Sequence, residues 1–346
     1  MTPLSLTLQT AYAELLDQLT TLDAHRSIGH APGAFVTKEI KGQRYWYFQY
    51  STPGGPAKQA YVGPSSRALD SVVKKYEAEK LVYREDRDRI DEIAAMLRTG
   101  AGVTDAGSAR VIRALADSGV FKLGGVLVGT HAFVVLGNVL GARWQGLHAR
   151  TEDVDIASAR VLEVAVPELD ADIPKALDGL EMGFLPVPTF SPKDPSTFFA
   201  VRGRPVRVDL ITPARGGKPG AVRIARFNAA AAPLSFVELL LEDAQPAAVV
   251  NGGGILVRVP HPAHFAVHKL IIAKRRAAAF HTKREKDLAQ AAQLIVALEE
   301  LRPGELRLVW KRTAARGPSW ARGMREGTTL LAAKHPEAHG ILRRYT

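Results

Sequence analysis

Two short apolar runs carry carboxylates at positions where strands seldom tolerate them. Asp153 and Asp155 lie in Thr-Glu-Asp-Val-Asp-Ile-Ala at 151–157, and Asp209 lies in Val-Arg-Val-Asp-Leu-Ile at 206–211. Acidic residues are depleted in strands. Successive strand side chains point to opposite faces, so Asp153 and Asp155 share one face while Val154 and Ile156 take the other. Two carboxylates on one face make a hard-cation site. Asp209 on a neighbouring strand would complete a set able to hold two Mg²⁺ ions, the arrangement that phosphoryl transfer uses to offset charge on a triphosphate. Upstream, Leu127-Val128-Gly129-Thr130 before a helical pattern reads as strand, turn and helix. Glycine there lets backbone approach a phosphate, and a helix N-terminus offers unpaired N–H donors. The turn is not Gly-x-Gly-x-x-Gly, which disfavours a dinucleotide site, and the chain has no Walker A run.

Hydrophobic-Gly-Gly/Ser, a spacer, Asp-hydrophobic-Asp/Glu and a third acid on a later strand form the pattern of the polymerase-β-like nucleotidyltransferase superfamily. The chain resembles it through Gly129-Thr130, Asp153-Val154-Asp155 and Asp209. It departs in having Thr130 for the usual Ser or Gly, and a long spacer of 22 residues from 131 to 152. Further on, Pro262-Ala-His-Phe-Ala-Val-His-Lys269-Leu and then Lys286-Asp287 look like the helical motifs of abortive-infection-type nucleotidyltransferase toxins. The chain looks closer still to uncharacterised bacterial nucleotidyltransferase-fold proteins that carry a similar Tyr-Trp-Tyr-Phe segment. The likeness spans 120–300, and the first 100 residues only loosely.

That resemblance implies an α/β (α+β) fold: a polymerase-β-like mixed sheet, a helical C-terminal domain, and a small N-terminal β-meander plus helix. It implies an Mg²⁺-dependent enzyme, with two ions held by Asp153, Asp155 and Asp209, that moves NMP from an NTP to an acceptor hydroxyl. Gly129, Thr130 and Lys269 would meet the phosphates, and Asp287 would orient the triphosphate or the edge of the site. Arg150 and Thr151, directly before the acidic strand, would reach the nucleotide. A toxin or defence role with an antitoxin-like partner is part of the same implication.

The rest of the chain sets the frame. Lys and Arg number 46 against 35 Asp and Glu, a formal charge of +11, which favours polyanionic partners. There is no Cys, so disulfides and thiolate zinc sites are excluded. No run approaches a membrane span and the first residues lack a signal pattern, so a cytoplasmic protein without a membrane partner is expected. Periodicity predicts a helix over 6–23, three β-rich runs within 34–63, and a solvent-exposed connecting helix over 69–98 capped by Ser65 or Ser66. Asp105 would cap a helix over 106–118. A hairpin is expected over 197–212 and another across the glycines of 251–254, with helices from Pro262, over 283–300, 304–315 and 318–333. The domains expected are 1–100, 101–260 and 261–346.

Tyr45, Trp46, Tyr47, Phe48, Tyr50 and Tyr61 interleave with Lys38, Lys41, Arg44 and Lys58. Aromatics on a basic sheet can stack on bases while cations hold phosphates, so RNA binding through 35–62 is one reading. The other is structural: Trp46, Phe48 and Tyr50 as a core face, with Tyr45 and Tyr47 outside. His261, His264 and His268 fall on one helix face but lack a carboxylate at ligand spacing, so capping and packing are expected of them. An RNA 3′ end, tRNA in particular, is the favoured acceptor. The rivals are a protein hydroxyl, a small molecule as for aminoglycoside-modifying enzymes, and a non-catalytic nucleic-acid-binding protein on the same fold.

Overall fold

Three short polar side chains set where the first long helices begin. The structure is a computed structural model that describes residues 1–25, 27–51, 56–146, 151–159, 170–187, 195–214, 220–275 and 281–345. After β1 (Thr2–Pro3), the Ser5 hydroxyl accepts the Leu8 N–H and starts α1 (Leu6–Ala24). Next, β2 (Ala34–Ile40), β3 (Gln43–Ser51) and β4 (Ala57–Pro64) form the expected antiparallel meander. Ser66 then caps α2 (Arg67–Leu97) through the Leu69 N–H. The expectation of a merely solvent-exposed connector needs correction. Tyr76 and Val73 of α2 are buried, Tyr76 against the sheet aromatics, and Ile90, Ile93 and Leu97 are buried at its other end. Dense charge on three sides of this helix conceals a sparse apolar stripe.

Asp105 accepts the Ser108 N–H at 2.9 Å and begins α3 (Ala106–Asp117). The elements that follow are β5 (Val126–Val128), α4 (Gly129–Val139), β6 (Ala142–Arg143), β7 (Asp153–Ala157), α5 (Ile173–Asp178), β8 (Phe184–Pro186), β9 (Phe198–Val201) and β10 (Arg207–Pro213). Then come β11 (Val222–Ile224), β12 (Ala229–Leu234), α6 (Glu238–Leu241), β13 (Gln245–Val249) and β14 (Ile255–Val259). The main sheet runs β11-β12-β10-β7-β5, with β9 also on β10 and β8 on β9. It is mixed: β10 is parallel to both β7 and β12, while β5, β9 and β11 pair antiparallel with their neighbours. The β9–β10 hairpin was expected; β11 and β12 were not. The alanines of 229–232 favour helix locally and show no alternation, so only the free edge of β10 makes this segment a strand.

The C-terminal part is helical as expected: α7 (Pro262–Arg275), α8 (His281–Leu301), α9 (Glu305–Ala314) and α10 (Pro318–Leu331), followed by an unanticipated α11 (Pro336–Arg343). One apolar core runs without a break from α3 through the sheet into these helices, including Phe133, Val154, Leu210, Phe265 and Leu294. A second, smaller core joins α1 and the end of α2 to the β13–β14 hairpin through Leu15, Leu19, Ile90, Leu97 and Ala248.

Tyr12 stitches that second core. Its buried hydroxyl donates to the Ala248 carbonyl and accepts the Ala248 N–H, both at 3.1 Å, so it completes the outer edge of β13. Tyr12→Phe strips both backbone groups of their partner. We expect a loss of about 1–3 kcal/mol, read as a lower urea midpoint at unchanged m-value.

Candidate active site

The acidic strands meet in register. β10 lies parallel to β7 with Val208 opposite Val154, Asp209 opposite Asp155 and Arg207 opposite Asp153. Val154, Ile156, Val208 and Leu210 are all buried in the core, which leaves Asp153, Asp155 and Asp209 together on the other face. β5 ends beside them, with Val128 opposite Asp155. The chain then turns at Gly129 with φ of +64° to enter α4. A Cβ on Gly129 would stand 2.0 Å from Asp155 Oδ2, so this turn admits only glycine for both space and conformation. Thr130 is buried behind it, where its Oγ1 accepts from Gln290 Nε2 of α8 at 3.4 Å. Thr151 accepts the Asp153 N–H at 3.2 Å and so closes the start of β7. Arg150 lies outside the described residues.

Arg207, on the same face two residues before Asp209, is the cation that sequence reasoning passed over. Its Nε and one terminal nitrogen each stand 2.6 Å from Asp209 Oδ2, and Nε stands 3.6 Å from Asp153 Oδ1. Phe198 flanks the guanidinium at 5.3 Å. One guanidinium does not balance three acids. Burial, and then Asp209, push the Asp155 carboxyl up to about 7, and burial raises Asp209 despite its bonds to Arg207.

More cations stand around the acids. Lys269 of α7 is 7% exposed and Asp287 of α8 is 3% exposed; they pair at 2.7 Å, and the lysine charge acts on Asp155. The Lys286 ammonium is lowered by burial and then by Lys269, and it also senses Asp153 and Asp155, while the Lys283 charge acts on Asp209. His131 in the first turn of α4 is held down to about 4 by burial, and is therefore neutral at pH 7. The first turns of α8 thus carry two lysines whose charges act on these acids, and Asp287, which holds Lys269. Lys286 stands beside Asp287 in the helical motif, and its i, i+3 spacing to Lys283 is the signal that would have found the second lysine.

The donor set suits Mg²⁺. All three side chains are hard oxygen donors, two of them raised first by burial and then by a neighbouring carboxylate, a crowding of acids that a divalent cation would relieve. Among the described residues no three acids or histidines converge on one point as they stand, because Arg207 lies between Asp153 and Asp209. Two of the three histidines at the start of α7 cap and pack as expected, and His268 is buried in the helix. His261 accepts the Ala263 N–H and stands 3.5 Å from Glu305, and His264 bonds the Glu242 carbonyl at 3.0 Å.

Residues 106–315 match a family described as Nucleotidyltransferase, and the chain belongs to that family. The match runs from α3 to α9 and takes in every acid and cation of the site. The protein is an enzyme, a transferase of nucleotidyl groups on a mixed α+β fold. No curated protein and no solved structure matches the chain.

The Lys269–Asp287 pair yields a direct expectation. Lys269→Met takes from a buried carboxylate the cation it touches and is expected to cost about 3–5 kcal/mol. Adding Asp287→Leu should return most of that, as read by urea denaturation of the single and double variants.

Proposed function

We propose that the face bearing Asp153, Asp155 and Asp209 transfers an NMP group from an NTP to an acceptor hydroxyl. The observation that carries this reading is the register of β7 and β10, which sets Asp209 opposite Asp155 with Asp153 alongside and the Gly129 turn at their edge. Asp153, Asp155 and Asp209 would hold the two Mg²⁺ ions, which would supply charge neutralisation of the reacting phosphoryl group and the leaving pyrophosphate. Asp209 also helps take the proton of the acceptor hydroxyl. Gly129 and Thr130 bring backbone N–H groups of α4 to the phosphates, with Thr151 at the rim of the site. Lys269 adds a positive charge fixed in direction by Asp287, and Lys283 and Lys286 extend it along the triphosphate.

The acceptor we favour is an RNA 3′ end. The excess of cations over the whole chain and the basic aromatic meander support it. Among the described residues no helix is long and apolar enough to cross a membrane, which accords with a cytoplasmic setting. The likeness to abortive-infection-type toxins supports a defence role with an antitoxin-like partner.

The test is incubation with Mg²⁺ and each NTP labelled at the α-phosphate, with and without total bacterial RNA. Label is expected in RNA with wild-type protein and at background with Asp153→Ala, whose thermal midpoint should match wild type. Label in a small molecule or in protein would replace RNA as the acceptor. Undiminished transfer by folded Asp153→Ala would remove the acid from its assigned role.

A further inference from the structure

The solvent face of the N-terminal meander carries three tyrosines for which the transfer reaction has no use. Cross-strand register sorts the aromatics. Phe35 pairs with Phe48 and Thr37 with Trp46, and this face packs on α2, with Phe35 and Phe48 at 5.0 and 5.7 Å from the Tyr76 ring. Trp46 Nε1 donates to Asp70 at 2.7 Å, which fixes the indole between sheet and helix. The other face carries Lys38 opposite Tyr45, Val36 opposite Tyr47, and Tyr47 opposite Tyr61. Tyr61 lies 5.5 Å from Tyr47 and 6.1 Å from Tyr45, ring centre to ring centre, so the three rings are contiguous. Tyr61 is 58% exposed, and Lys38 Nζ sits 4.7 Å from the Tyr47 ring centre. Between 34 and 64 the chain has four cations, Lys38, Lys41, Arg44 and Lys58, against the single acid Glu39.

We propose that this face binds single-stranded RNA, with bases stacked on Tyr45, Tyr47 and Tyr61 and phosphates meeting Lys38 and Lys41. Aromatic pairs also stabilise sheets. Here the inner face already supplies that packing through Phe35, Trp46, Phe48 and Tyr76. What the outer face offers is a run of π-surfaces beside Lys38, with Lys41 in the adjoining β2–β3 turn, which suits unpaired bases on a polyanion. In a duplex the base faces are stacked on one another and are not offered to a ring, so the ligand is a single strand. The 31 residues of α2 span about 46 Å, with the meander docked near Asp70 and Tyr76 and the buried Ile90 to Leu97 end packed in the second core. RNA held on the meander would therefore be gripped at a distance from its reacting end. The proposal shares the RNA acceptor with the proposed function, but the binding itself needs no nucleotide and is tested without one.

The experiment is fluorescence anisotropy of a labelled, mixed-sequence single-stranded RNA of about 20 nucleotides, longer than one such platform covers. It is run with the full-length Asp153→Ala protein and no NTP. Tyr47→Thr and Tyr61→Thr keep strand propensity and should each weaken binding about tenfold, at unchanged thermal midpoint. Tyr61→Phe, which keeps the ring, should bind as the parent does. Lys38→Gln should weaken binding and flatten its salt dependence. It decides the matter if a threonine variant unfolds, since Lys38 is exposed. Binding that is indifferent to Tyr61→Thr and Lys38→Gln would overturn the proposal. So would equal affinity for a duplex of the same sequence, or no RNA binding by the parent. No RNA binding by the Asp153→Ala parent, with NMP transfer by wild-type protein intact, would remove this surface alone; RNA binding by the parent with no NMP transfer by wild-type protein would remove the catalytic reading alone.

Discussion

Two carboxylates held directly opposite each other on adjacent parallel strands are the constraint around which the catalytic half is organised. Asp155 and Asp209 are register partners, and strands in a sheet lie only about 4.8 Å apart, so neither acid can retreat from the other without breaking the ladder. The backbone enforces the repulsion because Val154, Ile156, Val208 and Leu210 are locked into the core on the reverse face. The charges that surround the pair answer to it. Arg207 braces Asp209 and Asp153, and Lys269 approaches from α7 and Lys286 from α8.

The helical part is tied to the sheet by the same continuous core, and its polar contribution is a buried ion pair. Lys269 and Asp287 sit on the two most intimately packed helices, α7 and α8, at the point where apolar contacts give way to the site. Such a pair adds little net stability, since desolvation offsets most of the attraction. What it does is fix the direction of one positive charge relative to the acids. In the proposed transfer, rigid placement of that charge is what electrostatic stabilisation of the phosphoryl group would draw on.

Much of the site was legible because its signals were local. Alternation put Asp153 and Asp155 on one face, Gly129 marked the turn, and Asp105 and Ser66 marked helix starts, each a signal carried within a few residues of itself. Arg207 was also local, yet it read as an ordinary strand residue because its meaning lies in Asp153, far away in sequence. The strands β11 and β12 were hidden for a related reason. Three-residue and alanine-rich strands carry no pattern of their own and exist only where another strand's edge is open. In the meander, alternation named Trp46, Phe48 and Tyr50 as the core face in its structural reading, and packing on Tyr76 and Asp70 puts Phe48 and Trp46 there.

The sequence by itself therefore determined the chemistry available: three acids at strand spacing, a glycine turn before a helix, lysines on later helices, and an excess of cations. These are properties of residue type and short-range period, which the chain carries unfolded. Only the tertiary structure decided that Asp209 stands opposite Asp155, that Arg207 lies between acids from two strands, and that Tyr61 joins Tyr45 and Tyr47 on one face. Register and facing are relations between segments distant along the chain, set when apolar faces find one another, and no local pattern encodes them.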